Sequence, residues 1–149
     1  MNPVPVNDLI EMWEKDAVID QTDPGKEILR IPLLHSKYVK QLTAHSLAVK
    51  SCGIEYSKMR KIKWEYYTGK LNGDKEKLDK YGLEPFQFVL KGDVNTYLES
   101  DEHLTKLTAK RALHEQAVEL CNLIIKELNN RTWQLREFMT HERFIMGSH

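Results

Sequence analysis

The sequence is poor in the features that mark membrane-spanning and secreted proteins. Its apolar runs are only a few residues long, so no segment is expected to span a bilayer. The amino-terminal stretch MNPVPVNDLIEMWEKD lacks the basic lead and the apolar core of a signal peptide. The 2 cysteines, Cys52 and Cys121, lie far apart at apolar helical positions, so buried free thiols are expected rather than a disulfide or a metal pair. The final GSH (147–149) is interpreted as a possible remnant of a purification tag.

Motifs of catalysis are also scarce. There is no glycine-rich phosphate loop and no nucleophile elbow, and neither cysteine shares a motif with a general base. The 6 histidines form no close ligand pair with cysteine or carboxylate, and His114 and Cys121, which share a helix face, are predicted to be core residues. The carboxylates are dispersed. The sequence therefore predicts no catalytic residue, no metal and no cofactor, and hence a protein that is not an enzyme.

The chain as a whole is balanced in charge, and one segment stands out as a local excess of cations. The 149 residues contain 22 Lys and Arg and 22 Asp and Glu, yet KMRKIKWEYYTGK (58–70) concentrates cations and aromatic rings around one acid, Glu65. Cations can follow a phosphate backbone and rings can stack on unpaired bases, so the pattern favours binding of a single-stranded nucleic acid. A solvated helix end with snorkelling lysines explains the segment equally well. The candidate contact residues are Lys58, Arg60, Lys61, Lys63, Trp64, Tyr67 and Lys70.

Helical periodicity dominates the rest of the chain and predicts a mainly α fold. A short helix is predicted over 7–16, followed by a long one from Thr22-Asp23-Pro24 to about Thr68, kinked at Pro32 or beginning after it. Gly69 supplies the stop. Residues 71–82 are predicted to form an exposed loop, and the alternation near 85–98 predicts either a short β-hairpin or irregular packing.

The last helix, opening near Ser100, carries more apolar surface than one small domain covers. Its heptad pattern indicates long helices packed in a helical oligomer, with part of the apolar surface buried against other subunits. We therefore divide the chain into a DNA-binding region (1–99) and an oligomerisation helix (100–146). The predicted oligomerisation residues are Leu107, Val118, Cys121, Ile125, Leu128 and Leu135.

Helical geometry can be applied to the basic segment. Met59, Ile62 and Tyr66 cluster as a core stripe, and a neighbouring arc combines cations with rings: Arg60, Lys63, Trp64 and Tyr67. Lys61 and Lys63 point roughly 200° apart on the same helix. One strand can contact both lysines if it wraps more than one face of the helix or if the helix distorts there. Otherwise Lys61 reaches the strand bound to a neighbouring subunit.

The stretch KIKWEYYTGKLNGD resembles the signature of the UvsY recombination mediators of large tailed phages. A basic-x-basic pair, an apolar residue, an acid, two tyrosines, a small residue and glycine follow one another over 61–69. EKDAVIDQT (14–22) is similar to the family's amino-terminal segment, and FVLKGDV (88–94) lies in the expected order. Lys63 departs from the arginine common in the family, Trp64 replaces an aliphatic residue, and Arg60 adds a cation.

The resemblance implies a non-enzymatic protein that forms a ring-like homo-oligomer of the hexamer or heptamer class and binds single-stranded DNA. It implies further that the protein helps a phage recombinase displace the single-strand DNA-binding protein in the host cytoplasm. The family's basic pair falls on Lys61 and Lys63, and its oligomerisation region on the last helix, roughly 101–142. The alternative is a helical oligomer acting as a protein-interaction scaffold whose basic segment meets an acidic partner tail.

Overall fold

The computed structural model describes residues 2–85 and 89–147, which are almost entirely helical. The α-helices are α1 (Val6–Asp16), α2 (Pro24–Tyr67), α3 (Lys75–Lys80), α4 (Val94–Glu99) and α5 (Glu102–Ile145), with a 3-10 turn at Lys91–Asp93. No strand occurs in these residues, which confirms the predicted mainly α class. Within the same residues, no helix is long and apolar enough to cross a membrane.

The hairpin predicted near 85–98 is wrong over the part of it that the structure describes. Lys91–Asp93 forms a 3-10 turn and Val94–Glu99 forms α4. Val94 and Leu98, four residues apart, are both buried, so helical spacing rather than alternation accounts for the apolar residues of this stretch. The alternation that suggested a strand runs through Phe86, Phe88 and Leu90, and the two phenylalanines lie outside the described residues.

The ends of α2 follow local backbone chemistry. At its start, Asp23 Oδ1 accepts a hydrogen bond from the Lys26 backbone N–H at 3.1 Å. At its end, Gly69 has φ +81°, its N–H donates to the Tyr66 carbonyl at 3.1 Å, and the Lys70 N–H donates to the Glu65 carbonyl at 2.9 Å. This pair of bonds is a Schellman motif, and its left-handed position is the reason for glycine. Both predicted boundaries are confirmed.

Pro32 lies inside α2, which runs as one element of 44 residues. The helix therefore does not begin after Pro32, as one reading of the sequence allowed. Proline cannot donate to the carbonyl four residues earlier, and its ring crowds that carbonyl. Pro32 is exposed, so water can satisfy the orphaned carbonyl group.

The chain forms two compact units, one comprising Met1–Ala48 with Leu113–His149 and the other Val49–Ala112. We call them the terminal unit and the central unit. The core of the terminal unit contains seven buried side chains, from α1, α2 and α5: Leu9, Leu34, Tyr38, Ala117, Cys121, Ile124 and Leu128. Trp13 packs edge-on against Tyr38, with ring centroids 5.7 Å apart. Cys52 and Cys121 are buried free thiols, as predicted.

A buried aspartate ties the elements of the terminal unit together. The Asp16 carboxylate accepts hydrogen bonds from Lys37 Nζ at 2.7 Å and from the Tyr38 hydroxyl at 2.8 Å, and it pairs with Arg30 at 3.4 Å. Arg131 of α5 donates to the backbone carbonyl oxygens of Asp16 and Ala17, both at 3.2 Å. Burial raises the pKa of the Asp16 carboxyl, but the bonds from Lys37 and Tyr38 and the nearby positive charges outweigh burial and hold it below its usual range.

The heptad pattern predicted for α5 is half right. Leu107, Cys121, Leu128 and Leu135 are buried, so this row is a packing seam. The second predicted row runs through Leu104, Arg111, Val118, Ile125, Thr132 and Met139. Leu104 is buried, but further along the buried positions are displaced by one residue, to Ala117, Ile124 and Arg131, where Val118 and Ile125 are only half-buried. Arg131 can occupy the seam because its guanidinium satisfies backbone carbonyl groups.

The residues predicted for oligomerisation are thus mostly used inside the protomer. Leu107, Cys121, Leu128 and Leu135 are at most 7% exposed and offer no surface to another subunit while the chain is folded. The apolar excess of α5 and the residue after it lies elsewhere, on six side chains that are 60–78% exposed: Leu113, Leu123, Trp133, Phe144, Ile145 and Met146. Apolar surface available to another subunit is therefore found on these exposed side chains, and the assignment of assembly to α5 stays a prediction.

Candidate nucleic-acid interface

The basic-aromatic segment lies in the central unit, where α2 ends at the Gly69 turn. Its scaffold is a small core of Val94, Leu98 and Leu104, against which Tyr56, Met59, Trp64, Tyr67 and Val89 pack. The Val89 N–H donates to the Tyr67 carbonyl at 3.1 Å and fastens the chain before α4 to the end of α2. This contact brings residues distant in sequence beside the basic segment.

Asp101 organises the polar side of this core. Its Oδ1 accepts the Leu104 backbone N–H at 3.0 Å, which makes Asp101 the N-cap of α5. Its Oδ2 accepts the Tyr67 hydroxyl at 2.6 Å and lies 3.2 Å from Lys63 Nζ. Asp101 is 4% exposed and Lys63 8% exposed. The Lys63 charge is therefore neutralised within the protein.

The ionisation of this cluster follows from its contacts. Burial raises the pKa of the Asp101 carboxyl, but hydrogen bonds from Tyr67, the Leu104 N–H and Lys63 outweigh it and lower the pKa below its ordinary value. Burial raises the pKa of the Tyr67 phenol, and the hydrogen bond to Asp101 and the charge of that carboxylate raise it further. Tyr67 accordingly stays a neutral donor at physiological pH, which keeps the cluster intact.

The predicted core stripe needs correction. Met59, Ile62 and Tyr66 are all half-buried, and Lys63 is the most buried residue of the segment. The side of α2 that packs on the small core carries Tyr56, Met59, Trp64 and Tyr67, with Lys63 paired to Asp101. Sequence periodicity misplaced it because a lysine is not expected at a core position unless an acid such as Asp101 pairs with it.

Four of the five predicted cations remain available to a ligand. Lys58, Arg60, Lys61 and Lys70 are exposed. In the part of the chain that the structure describes, none of them takes part in an ion pair. The 200° between Lys61 and Lys63 therefore reflects two different environments, since Lys61 faces solvent and Lys63 faces Asp101.

Trp64 is the centre of an open groove of about 490 Å³. Lys70 Nζ lies 4.2 Å from the centroid of the Trp64 ring, a cation–π contact. The groove has an apolar floor with lysines beside it, and its lining residues are Trp64, Thr68, Lys70, Val89, Leu90 and Lys91. Such a surface can stack a flat apolar ring on Trp64 while Lys70 and Lys91 attract an anion attached to it.

Tyr67, the second predicted stacking residue, belongs to an aromatic cluster. Its ring lies 5.2 Å from that of Tyr66 and 5.5 Å from that of Tyr97, and Tyr97 is 41% exposed. The Tyr67 hydroxyl is held by Asp101, so Tyr67 supports the surface more than it offers a free face. The structure thus adds Tyr97 to the candidate rings.

Sequence reasoning missed three residues of this site: Lys91, Tyr97 and Asp101. Lys91 and Tyr97 fall in the stretch predicted to form a hairpin or irregular packing. No local sequence pattern indicates that they lie near Trp64 and Tyr67, which are more than twenty residues away. Asp101 was expected only as an acid at the start of a helix. It does cap α5, but its contacts with Lys63 and Tyr67 were not predicted. Within residues 2–85 and 89–147, no group of three or more His, Cys, Asp or Glu converges as a metal ion would require.

Comparisons with known proteins identify the family of this chain. Residues 12–148 match the family model described as "Recombination, repair and ssDNA binding protein UvsY". The recombination protein uvsY of Enterobacteria phage T4 is 20% identical over 142 residues, covering 95% of this chain and 98% of that protein.

Solved structures support the same fold. A crystal structure of the bacteriophage T4 recombination mediator protein UvsY (lattice type II) has a TM-score of 0.77 at 19% identity, covering 96% of this chain and 98% of that one. A second crystal form (lattice type I) has a TM-score of 0.75 at 20% identity, covering 92% and 98%. At this identity the likeness establishes the fold.

The described residues define an all-helical protein whose candidate interface joins unpaired cations to aromatic ring faces. The chain belongs to the UvsY family of recombination, repair and single-stranded DNA-binding proteins. The resemblance inferred from KIKWEYYTGKLNGD is thereby confirmed.

Proposed function

We propose that this protein is a recombination mediator that binds single-stranded DNA without sequence preference. In this role it helps load a phage recombinase onto DNA covered by single-strand DNA-binding protein, in the cytoplasm of the host. The observation that carries the proposal is a set of four exposed cations in the segment that holds Trp64, none of them ion-paired within the described residues and one of them, Lys70, lining the Trp64 groove: Lys58, Arg60, Lys61 and Lys70. Family membership supports the same ligand.

The binding step needs no catalytic group. Each phosphate that a lysine or arginine neutralises releases condensed counterions, which favours binding whatever the base sequence. An aromatic face such as that of Trp64 stacks on any base, because every base has a π-face. A strand held in this way is bent away from the path it takes on the single-strand DNA-binding protein and is presented to the recombinase. The mediator thus acts by competing with the single-strand DNA-binding protein for the strand.

Lys63 has a different part in this proposal from Lys61. Lys61 is exposed and contacts phosphate directly. Lys63 acts as a positioning residue, because its ammonium holds the Asp101 carboxylate that also fixes Tyr67 and caps α5. Replacing Lys63 would therefore disturb the shape of the site in addition to removing a positive charge.

We also propose a ring-like homo-oligomer assembled through the exposed apolar residues of α5. Trp133, at 66% exposed, and the cluster Phe144, Ile145 and Met146 present apolar surface with no cover in the protomer. A ring displays many copies of one weak site, and a strand bound to one copy meets the next at high effective concentration. Modest affinity per protomer then becomes tight binding to a long strand.

Fluorescence anisotropy of a labelled oligonucleotide, titrated with salt, tests the proposal. Binding to single strands should weaken as salt rises, with a slope of about −0.7 for each neutralised phosphate. The Arg60→Ala/Lys61→Ala variant should make the slope shallower by about 1.4, the value for two phosphates. Lys126 of α5, in the terminal unit, is exposed and forms no ion pair within the described residues. Lys126→Ala is therefore the matched control and should leave the slope unchanged.

The same assay addresses the alternative of a protein-interaction scaffold. An absence of measurable DNA affinity at low salt would reject the mediator proposal. Binding of a labelled glutamate-rich peptide, abolished by Arg60→Ala/Lys61→Ala, would then favour a basic surface that receives an acidic partner tail.

A further inference from the structure

A second basic surface lies at the start of α5, on the helix that the sequence reserved for oligomerisation. The segment HLTKLTAKRA (103–112) contains Lys106, Lys110 and Arg111 and no acid. Glu102 precedes the segment and Glu115 follows it. In a chain with a formal net charge of zero, this is a local excess independent of the one at 58–70.

Three side chains of this segment that are cationic or can become so lie on one face of the helix. At roughly 100° per residue, His103, Lys106 and Lys110 fall within an arc of about 60°. They line an open groove of about 450 Å³ together with Glu102, Leu107 and Lys63. All of these residues belong to the central unit. The groove is therefore a continuous basic track along the first turns of α5.

Two of the three lysines in the groove keep an unneutralised charge among the described residues. Neither Lys106 nor Lys110 forms an ion pair with any residue in 2–85 or 89–147. Lysines four residues apart on a helix repel each other and destabilise it slightly. Glu102 is the one acid in the lining, at the end of the track, while the Lys63 ammonium is engaged by Asp101. An external anion would relieve this repulsion.

The shape of the groove indicates which kind of anion binds. Leu107 is the one apolar residue in the lining, and it is 7% exposed. A protein partner normally buries an apolar anchor at the centre of its interface, and the described lining of this groove includes no exposed apolar residue to receive one. A polyanionic backbone needs only spaced cations.

We propose that Lys106 and Lys110, with His103 beside them, form a second phosphate-binding surface for single-stranded nucleic acid. The inference rests on the proposed function, because the ligand is the same strand that contacts the basic-aromatic segment. Asp101 couples the two surfaces, since it caps α5 at Leu104 and holds Lys63 and Tyr67 of α2. The start of α5 is then part of the DNA-binding region, and assembly depends on the exposed apolar residues further along.

The test compares salt slopes of oligonucleotide binding for the unmodified protein and a set of variants of equal oligomeric mass. Lys106→Ala/Lys110→Ala should reduce the slope by about 1.4, and its combination with Arg60→Ala/Lys61→Ala by about 2.8. Lys106→Arg/Lys110→Arg should retain the native slope, because the charge is kept. Lys126→Ala is again the matched control, and circular dichroism and solution mass verify that each variant is folded and assembled.

Each outcome separates this inference from the proposed function. If Arg60→Ala/Lys61→Ala reduces the slope and Lys106→Ala/Lys110→Ala does not, the second surface is rejected and the mediator proposal stands. If the unmodified protein binds no oligonucleotide at low salt, the proposed function itself fails. If Lys106→Ala/Lys110→Ala leaves DNA binding intact but abolishes binding of a glutamate-rich peptide, the surface belongs to a protein partner and the inference is overturned.

Discussion

The terminal and central units each contain a buried aspartate that accepts a tyrosine hydroxyl and a lysine ammonium on the same oxygen. In the terminal unit, Asp16 Oδ2 binds Tyr38 at 2.8 Å and Lys37 at 2.7 Å. In the central unit, Asp101 Oδ2 binds Tyr67 at 2.6 Å and Lys63 at 3.2 Å. The same arrangement occurs beside the core of the terminal unit and beside the basic-aromatic segment of the central unit.

The surroundings of the two aspartates differ. Asp16 has a second cation, Arg30, and the Lys37 side chain is 42% exposed, so water supports that pair. The Lys63 side chain is 10% exposed, and Asp101 is its one ion-pair partner among the described residues, with the Tyr66 ring centroid 5.8 Å from its ammonium. The terminal unit pairs its buried acid with several cations, whereas the central unit uses one and leaves the others to solvent. The comparison teaches that the central unit keeps a cluster of exposed cations at 58–70 beside its buried acid, whereas the cations around Asp16 are drawn into pairs with it.

The largest expected effect is the cost of breaking each pair. Asp101→Ala leaves the Lys63 ammonium buried without a partner and removes the cap of α5, so a loss of about 3–5 kcal/mol in the free energy of unfolding is expected. Asp16→Ala should cost less, about 2 kcal/mol, because Lys37 and Arg30 stay partly hydrated. Urea denaturation followed by circular dichroism measures both.

A double variant distinguishes pairing from simple loss of packing. Asp101→Ala/Lys63→Met should recover part of the stability lost in Asp101→Ala, because an apolar residue of similar volume replaces the orphaned charge. Equal stability of the single and double variants would show that Lys63 is not held by Asp101 in solution.

A smaller effect distinguishes the two units by function. Trp64→Leu should weaken oligonucleotide binding by roughly tenfold, within the about 1–3 kcal/mol expected per stacked base. Trp133→Leu in the terminal unit should instead lower the solution mass of the assembly and leave the salt slope of binding unchanged. If Trp133→Leu removed DNA affinity in a fully assembled protein, binding would not be confined to the central unit.

The smallest effect concerns acid. The pKa values of Asp16 and Asp101 are lower in the folded protein than in the unfolded chain, where Asp titrates near 3.9. Their contribution to stability is therefore present above about pH 4 and is lost as the pH falls through the folded values. The free energy of unfolding between pH 6 and pH 2 should fall steeply at the acid end. Asp16→Asn and Asp101→Asn should each flatten that fall, and an unchanged profile in both would reject the lowered values.

Much of the fold was predictable because it depends on short-range chemistry. The boundaries of α2 follow from Asp23 and Gly69, whose capping bonds join residues a few positions apart. The buried row of α5 follows from the seven-residue spacing of Leu107, Cys121, Leu128 and Leu135. The stretch before α5 was mispredicted, since apolar residues over so few positions satisfy both a strand and a short helix.

The candidate site was predictable in place and only partly in detail. The excess of cations at 58–70 identified Lys58, Arg60, Lys61 and Lys70, which are exposed as that prediction needs. It also included Lys63, whose charge is neutralised by Asp101, and it could not include Lys91 or Tyr97. These differences all arise from contacts between residues more than twenty positions apart, which periodicity does not report.

The sequence by itself determined that the protein is mainly helical, that α2 ends at Gly69, and to which family it belongs. Those properties depend on the preferences of the local backbone and on a recognisable run of residues. Only the tertiary structure decided which lysines face solvent, because the cost of burying a cation depends on whether a distant acid reaches it. It also decided that the apolar row of α5 chosen for assembly lies inside the protomer, since a heptad pattern shows that a face is packed without showing what packs against it.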